Sequence, residues 1–323
     1  MLPGFSYVRP STLREAAERL AAAGAAAHAG GTDLLGCLRD GVFGADTVVS
    51  LSALTELRGI SRTTAGGLRI GALTTVAEVA AHPDVCRDYP ALAAAALAVA
   101  SPQLRAQGTL GGNLCQKPRC WYYRGDFHCA RKGGDMCFAA AGENQYHCIF
   151  GGNVCFYVHP SDTAPALVAH EALLRLVGPG GSRVVPVENF FVPPAQDFTR
   201  ETVLERGEIL TEVVLPPPPS GGRGRYSKVR ARGAWDFALA GAAVVLGLRE
   251  RRVVHARIVL SGVAPVPWRV PAAEQAVTDR SLDAASARRA AAEAVKGAQP
   301  LELNGYKVKL VAGVIEETLL ALA

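Results

Sequence analysis

Six of the eight cysteines of this chain lie within one stretch of 41 residues. Thiolate sulfur is a strong ligand for zinc and for iron–sulfur clusters, and in a reducing compartment clustered cysteines are more often metal ligands than disulfides. The stretch therefore predicts a metal centre. Its cysteines are Cys115, Cys120, Cys129, Cys137, Cys148 and Cys155.

The spacing of these cysteines does not name the metal. Successive cysteines are 5, 9, 8, 11 and 7 residues apart, which matches neither the paired C-x₂-C knuckles of zinc ribbons nor the C-x₂-C-x₂-C run of bacterial ferredoxins. An iron–sulfur cluster, a structural zinc site and a loop of buried free cysteines are all compatible with it. His128 and His147 are possible imidazole ligands, and Cys37 and Cys86, outside the stretch, are expected in the core.

Positive charge accompanies the cysteines, and few acids oppose it within the stretch. Such charge lowers the pKa of thiols and offsets the negative charge of a thiolate-ligated cluster. Trp121, Tyr122 and Tyr123 are placed to shield a metal centre from water. The basic residues are Lys117, Arg119, Arg124, Arg131 and Lys132.

Glycine-rich turns precede the cysteines. AGGTDL (Ala29–Leu34) lies between a predicted strand and a predicted helix, and TLGGNL (Thr109–Leu114) directly precedes Cys115. Glycine lets backbone amides approach a phosphate that a Cβ atom would keep away, and a helix N-terminus adds a favourable dipole. A polar turn, HPSD (His159–Asp162), closes the stretch. Together these features indicate a nucleotide cofactor beside a metal centre, although each turn alone could be an ordinary tight turn.

The patterning around these motifs predicts an α+β chain. A capping box at Thr12 and Glu15 opens a helix that is expected to run to about Ala23. An apolar strand is expected around CFYVHP (Cys155–Pro160), before a further helix. The predicted divisions are 1–55, 56–215 with an insertion at about 115–158, and 225–323 after a proline- and glycine-rich linker, Pro216–Gly224.

Composition excludes several classes of protein. Of 323 residues, 49% are apolar and 20% charged, which is typical of a globular protein with real cores. The net charge of +5 is not gathered into a nucleic-acid motif, so it indicates a solvated surface. No apolar run is long enough to cross a bilayer, and the N-terminus lacks the pattern of a signal peptide. The chain is therefore expected in the cytoplasm, or in the periplasm if a partner subunit carries an export signal.

Taken in order, the motifs resemble those of the FAD-binding medium subunit of the xanthine dehydrogenase family of molybdenum hydroxylases. AGGTDL, TLGGNL and HPSD match its FAD motifs, and GALTT, GEILTEVVLP, YSKVRAR and NGYKVKLV match as well, so the likeness covers nearly the whole chain. The insertion resembles members with an extra 4Fe–4S cluster, namely the periplasmic aldehyde oxidoreductases and 4-hydroxybenzoyl-CoA reductase. RCWYYR and GENQYH are similar to the aldehyde oxidoreductase type. This pattern implies the ligands Cys120, Cys129, Cys137 and Cys155 and leaves Cys115 and Cys148 as extra cysteines.

The resemblance implies an FAD-binding fold of the vanillyl-alcohol oxidase (PCMH) type, followed by a small C-terminal domain of the CO dehydrogenase flavoprotein type. The first glycine turn would cradle the pyrophosphate, and the second would hold the phosphates and the ribitol. Asp162 with Ser161 would accept hydrogen bonds from the sugar or adenine end, and Lys228 would stabilise the reduced flavin ring. The implied FAD contacts are Ala29, Gly30, Gly31, Thr32, Asp33, Leu34, Gly108, Thr109, Gly112, Asn113, Ser161, Asp162, Ile209, Leu210 and Lys228.

The function implied is electron transfer within a hetero-oligomer. A molybdenum-cofactor large subunit would oxidise the substrate, electrons would pass through a 2Fe–2S small subunit to the FAD of this chain, and an external acceptor would receive them. No residue has the pattern of a substrate acid–base pair or nucleophile, which suits a chain that handles electrons only. Two alternatives are a free-standing NAD(P)H-linked flavin oxidoreductase and a zinc-stapled assembly module without a redox role.

Overall fold

The computed structural model describes residues 1–250 and 252–323. Its strands are β1 (Ser6–Val8), β2 (Ala25–His28), β3 (Thr47–Ser50), β4 (Ile60–Arg62), β5 (Leu68–Gly71), β6 (Leu173–Gly178), β7 (Gly181–Pro186), β8 (Ile209–Leu215), β9 (Gly222–Val229), β10 (Ala240–Arg249), β11 (Arg252–Ser261) and β12 (Trp268–Arg269).

The α-helices alternate with these strands in the first two thirds of the chain and follow them in the last third. They are α1 (Leu13–Leu20), α2 (Leu34–Arg39), α3 (Val76–Ala81), α4 (Pro83–Asp88), α5 (Pro90–Leu97), α6 (Pro102–Gln107), α7 (Leu110–Leu114), α8 (Trp121–Arg124), α9 (Thr163–Ala169), α10 (Pro194–Asp197), α11 (Pro271–Val277), α12 (Ala284–Ala294) and α13 (Tyr306–Leu320). Within the described ranges, none of them combines the length and hydropathy that spanning a membrane requires.

The N-terminal sheet is small and parallel, with β1 and β2 both paired to β3. The Thr12 hydroxyl accepts a hydrogen bond from the amide of Glu15 at 3.2 Å, as the capping box predicts for the start of α1. The helix ends at Leu20 and not at Ala23, because the chain turns through Gly24 in the left-handed region (φ 72°) to enter β2.

The middle sheet is antiparallel, with strand order β4-β5-β8-β6-β7. Strands β6 and β7 form a hairpin. Its first residue pair is Leu173 with Pro186, and its last pair, at the turn, is Gly178 with Gly181. Apolar side chains of the sheet pack on α3, α5 and α9, and Leu68, Ile70 and Leu167 are fully buried in that core. These helices lead into the turns that the sequence singled out.

The third sheet, with strand order β12-β11-β10-β9, is antiparallel and packs against α11, α12 and α13. Its two long strands, β10 and β11, supply most of a second core, while β9 carries Lys228 toward the first core. The helices and sheets thus confirm the α+β class.

The cysteine insertion, residues 115–158, is fully described and holds only α8 and short 3₁₀ turns. The prediction of a strand around CFYVHP is wrong. Within this segment the amide of His159 donates to the carbonyl of Ala264 at 2.8 Å, and just before it the amides of Ile149 and Phe150 donate to the carbonyl of Val263. The segment is held by scattered bonds to a loop, so no ladder of paired residues forms.

Side chains of the C-terminal helical region hold the insertion in place through hydrogen bonds to its backbone. Asn304, fully buried, donates from Nδ2 to the carbonyls of His147 and Cys148, both at 3.1 Å. The buried Lys307 ammonium donates to the carbonyls of Tyr146 and Gly262 at 2.9 and 2.8 Å. The insertion is therefore bound by side chains that lie more than a hundred residues away along the chain.

Replacing Asn304→Ala should destabilise the protein by about 3 kcal/mol, because three buried backbone partners lose their hydrogen bonds at roughly 1 kcal/mol each. The third partner is the amide of Leu301, which donates to Asn304 Oδ1 at 2.7 Å. Urea unfolding measures the change. Asn189→Ala at an exposed position is the matched control and should stay within about 0.5 kcal/mol of the parent; equal stability of the two variants would contradict the fastening role.

Candidate cofactor groove and cysteine cavity

The two glycine turns meet in space. Gly30 lies against the backbone of Gln107, whose carbonyl oxygen would overlap with any Cβ atom built on Gly30. The Gln107 amide Nε2 also donates to the Gly30 carbonyl at 3.2 Å. Glycine is therefore required at position 30 for the two turns to touch.

The second turn opens a short helix. Thr109 is the N-cap of α7, and its hydroxyl accepts a hydrogen bond from the amide of Gly112 at 3.1 Å. Asn113, inside α7, accepts through Oδ1 from the hydroxyls of Ser161 and Thr163, both at 2.6 Å. The TLGGNL and HPSD motifs are thus joined by direct side-chain hydrogen bonds.

Asp162 and Lys228 form a buried ion pair beside these turns. Their side chains are 6% and 4% exposed, and Lys228 Nζ is 2.7 Å from Asp162 Oδ2. Tyr226 donates to Asp162 Oδ1 at 2.7 Å, and Lys228 also donates to the carbonyl of Ala98. Burial raises the pKa of Asp162, and the neighbouring Lys228 and Tyr226 oppose that shift.

The turns line two adjoining clefts, each with a volume of about 400 Å³. Five residues form walls of both clefts, so the two make one continuous groove: Thr32, Asp33, Thr109, Gly112 and Gln116. The first cleft is lined by the whole Ala29–Leu34 turn with Ile209 and Leu210, and the second by Gly108, Asn113, Asp162 and Lys228. Ser161 lies outside the groove and lines a third cavity with Asp162.

Sequence reasoning missed part of the groove wall. Arg232, Trp235 and Phe237 line the second cleft, and Trp235 is 62% exposed. Arg232 is the last residue of the YSKVRAR motif, and Trp235 and Phe237 lie in the GAWDF stretch that follows it. Two exposed aromatic residues in a polar loop are the signal that could have indicated this part of the wall.

Asp33 joins the groove to the cysteine insertion. Its Oδ2 accepts from the amide of Lys117 at 2.7 Å, and its Oδ1 lies 2.9 Å from Arg119 Nη2 and 2.8 Å from Arg124 Nη2. The carboxylate makes no cap to α2. Its charged partners belong to the insertion, whereas α2 contributes a thiol contact from Cys37 at 3.9 Å.

The basic residues of the insertion, which has few acids of its own, are opposed by acids from other parts of the chain. Glu201 is 7% exposed, lies 2.6 Å from Lys117 Nζ and also pairs with the buried Arg131. Because Asp33 and Glu201 lie 70 to 91 residues from their partners, local sequence could not show the compensation.

Four cysteines line one small cavity inside the insertion, with a volume of about 10 Å³. They are the four that the resemblance implies as ligands: Cys120, Cys129, Cys137 and Cys155. Cys115 instead lines the groove, and Cys148 is buried outside the cavity. All eight cysteines are free thiols. Of the two outside the insertion, Cys37 is buried as expected, whereas Cys86 is exposed, so its expected place in the core is wrong.

The cavity is closed around the thiols. In the described part of the chain, no group of three or more His, Cys, Asp or Glu side chains is spaced to hold a metal ion. A thiol hydrogen bond from Cys155 lowers the pKa of Cys137 to about 6, and the same contact raises the pKa of Cys155. Burial raises the pKa of Cys120 to about 11. A metal centre would therefore have to displace protons from the thiols of Cys120 and Cys155.

The wall of the cavity is aromatic and cationic. The Arg131 guanidinium stands 5.4 Å from the ring centre of Tyr123 and 4.8 Å from that of Tyr157, and all three side chains line the cavity. On another side, His147 Nε2 lies 3.3 Å from Cys120 Sγ. The donor set of four thiols, two of them buried and two half-buried, is of the chemical type that a thiolate-ligated cluster takes.

Known proteins share this arrangement of the chain. Residues 3–218 match the family model described as "FAD binding domain in molybdopterin dehydrogenase", and residues 225–322 match "CO dehydrogenase flavoprotein C-terminal domain". The aldehyde oxidoreductase FAD-binding subunit PaoB of Escherichia coli (strain K12) is 38% identical over 278 residues, which cover 84% of this chain and 86% of that protein.

Relatives over the full length lead to the same family. The carbon monoxide dehydrogenase medium chain of Hydrogenophaga pseudoflava is 29% identical over 98% of this chain and 96% of its own length. A solved structure of carbon monoxide dehydrogenase from the same organism superposes with a TM-score of 0.80 at 28% identity, covering 100% of this chain and 98% of that one. The groove, the three sheets and these matches together identify the chain as a member of the FAD-binding medium subunits of the xanthine dehydrogenase and CO dehydrogenase family of molybdenum hydroxylases, which are oxidoreductases.

Proposed function

We propose that this chain is the electron-transfer subunit of a molybdenum hydroxylase complex of the aldehyde oxidoreductase type, and that it carries a 4Fe–4S cluster in addition to FAD. The observation that carries the proposal is the partition of the six clustered cysteines. Four of them line one cavity together, while Cys115 and Cys148 lie elsewhere. The same four are those implied by the resemblance.

The groove supplies what FAD needs from a protein. The Ala29–Leu34 turn and the Gly108–Thr109 turn bring backbone amides to its centre, where the pyrophosphate of the cofactor would lie. Ile209 and Leu210 offer apolar contact in the first cleft. Bound FAD would supply a centre that takes up electrons and releases them singly or in pairs.

Lys228 and Asp162 act as a unit in this proposal. Asp162 holds the ammonium group of Lys228 at the wall of the second cleft through the 2.7 Å contact. A cation at that wall would stabilise negative charge on a reduced flavin ring. The buried carboxylate of Asp162 fixes the position of the Lys228 ammonium group, which would otherwise move with its flexible side chain. Ser161, which precedes Asp162, donates a hydrogen bond to Asn113 of the second glycine turn at 2.6 Å.

The partners in this proposal are a large subunit with the molybdenum cofactor and a small subunit with 2Fe–2S clusters, with an external electron acceptor at the end of the chain. The proposal is supported by relatives whose names are "medium chain" and "FAD-binding subunit". An aldehyde substrate for the complex is favoured by the 38% identity to an aldehyde oxidoreductase subunit. The substrate would bind to the large subunit and not to this chain.

Separating the subunits tests the division of labour. The isolated chain should show no oxidation of aldehydes, because the substrate would bind to the large subunit, and recombination with its partners should restore electron flow from an aldehyde to an artificial dye. Dye reduction by the isolated chain, its partners and the recombined complex is the measurement. Full activity of the isolated chain would contradict the proposal.

Replacing Gly30→Ala should lower the affinity for FAD at least about tenfold, because the new methyl group overlaps the Gln107 carbonyl and pushes the two turns apart. Flavin absorbance per chain and fluorescence titration with FAD measure the loss. Gly36→Ala is the matched control within the same segment: it lies in α2 with open space around it, so FAD binding should stay at the parent value. Similar losses in both variants would count against the groove as the FAD site.

Serine substitution of single cysteines tests the metal centre. Cys120→Ser, Cys129→Ser, Cys137→Ser and Cys155→Ser should each lose most of the iron and sulfide and the paramagnetic signal of the reduced cluster, while FAD stays bound. Colorimetric iron and sulfide assays with electron paramagnetic resonance measure this. The controls Cys115→Ser and Cys148→Ser should keep the iron. Iron loss in a control with retention in one of the four would reassign the ligands, and zinc in place of iron in the parent would overturn the cluster.

A further inference from the structure

His147 is a buried histidine whose imidazole lies within hydrogen-bond distance of a cysteine sulfur. Its Nε2 lies 3.3 Å from Cys120 Sγ, and the residue is 4% exposed. Its other ring nitrogen, Nδ1, is buried without a hydrogen-bond partner among the described residues. A proton on Nδ1 would therefore have no acceptor, whereas a proton on Nε2 faces the sulfur, so the geometry favours the Nε2–H tautomer.

The position of this ring is fixed by distant parts of the chain. The His147 amide donates to the carbonyl of Asn144 at 2.9 Å, and the His147 carbonyl accepts from Asn304. Trp121 and Tyr122 pack on the imidazole, with ring centres 5.8 and 6.1 Å away. A ring held by the backbone, by a fully buried amide and by two aromatic residues keeps its direction toward Cys120.

We propose that His147 donates an N–H···S hydrogen bond to the sulfur of Cys120 and thereby raises the reduction potential of the iron–sulfur centre. The inference rests on the proposed function, since it needs Cys120 to be a ligand. Reduction of a thiolate-ligated cluster adds one negative charge, part of which is carried by the sulfur atoms. A hydrogen-bond donor aimed at a ligand sulfur stabilises that added charge more than it stabilises the oxidised form.

Arg131 does not perform the same role. Its guanidinium lies beside the cavity, but its hydrogen bonds go to the carboxylate of Glu201 and to the carbonyls of Phe198 and Thr199. His147 is thus the side chain that offers an N–H to a ligand sulfur without a carboxylate partner of its own. The reduction potential of the iron–sulfur centre should therefore depend on whether residue 147 carries an N–H donor, and not on the size of its side chain.

The test is a redox titration of the assembled complex, followed by electron paramagnetic resonance, with iron and FAD quantified in the same samples. His147→Leu removes the donor, and His147→Gln keeps an N–H near the position of Nε2. His128→Gln is the matched control, because His128 is an exposed histidine of the same insertion that directly precedes Cys129.

In His147→Leu the ratio of oxidised to reduced cluster at a fixed potential should rise about tenfold, which equals a shift of about 59 mV to lower potential for a one-electron couple. His147→Gln should recover most of the shift, and His128→Gln and the potential of the FAD should stay at their parent values. An unchanged potential in His147→Leu, with its iron retained, would overturn the inference. Loss of iron in both His147 variants would overturn it too, since His147 would then be needed for the cluster to assemble. A parent complex without iron in this chain would instead remove the proposed cluster itself.

Discussion

The carboxylate of Asp33 is the contact on which the arrangement of the two sites depends. It belongs to the first glycine turn, yet all of its charged partners come from the cysteine insertion, through the amide of Lys117 and the guanidinium groups of Arg119 and Arg124. The groove and the cysteine cavity are therefore held side by side by one partly buried cluster of charges. Breaking it would leave two partly buried guanidinium groups with reduced compensation, which is costlier than losing an exposed pair.

A second set of contacts, from the C-terminal helical region, holds the insertion in place. Asn304 and Lys307 donate four hydrogen bonds to backbone carbonyls, three of them within residues 146–148. The segment has little regular secondary structure, so these bonds replace a sheet ladder as the source of its order. The last helical region of the chain consequently helps to determine the position of His147 and, through it, the surroundings of Cys120.

Local signals in the sequence were sufficient for much of this structure. The capping pair of Thr12 and Glu15 marks the start of a helix, which the Thr12 hydroxyl caps as predicted. The glycine turns indicated a groove because a close approach between two backbone segments, or between backbone and phosphate, requires glycine, and glycine can be read from the sequence. The choice of four cysteines among six came from the resemblance, since spacing alone left the metal open.

Long-range pairing accounts for what the sequence could not reveal. The acids that oppose the basic insertion lie 70 to 91 residues from their partners, and the CFYVHP segment binds a loop near Val263 that no local pattern connects to it. Iron anomalous diffraction from crystals of the complex is the most direct test of the account. The account predicts an iron peak inside the cavity bounded by Cys120, Cys129, Cys137 and Cys155, beside a groove filled by FAD. A cavity without iron density while FAD occupies the groove, or sulfurs joined in disulfides, would contradict it.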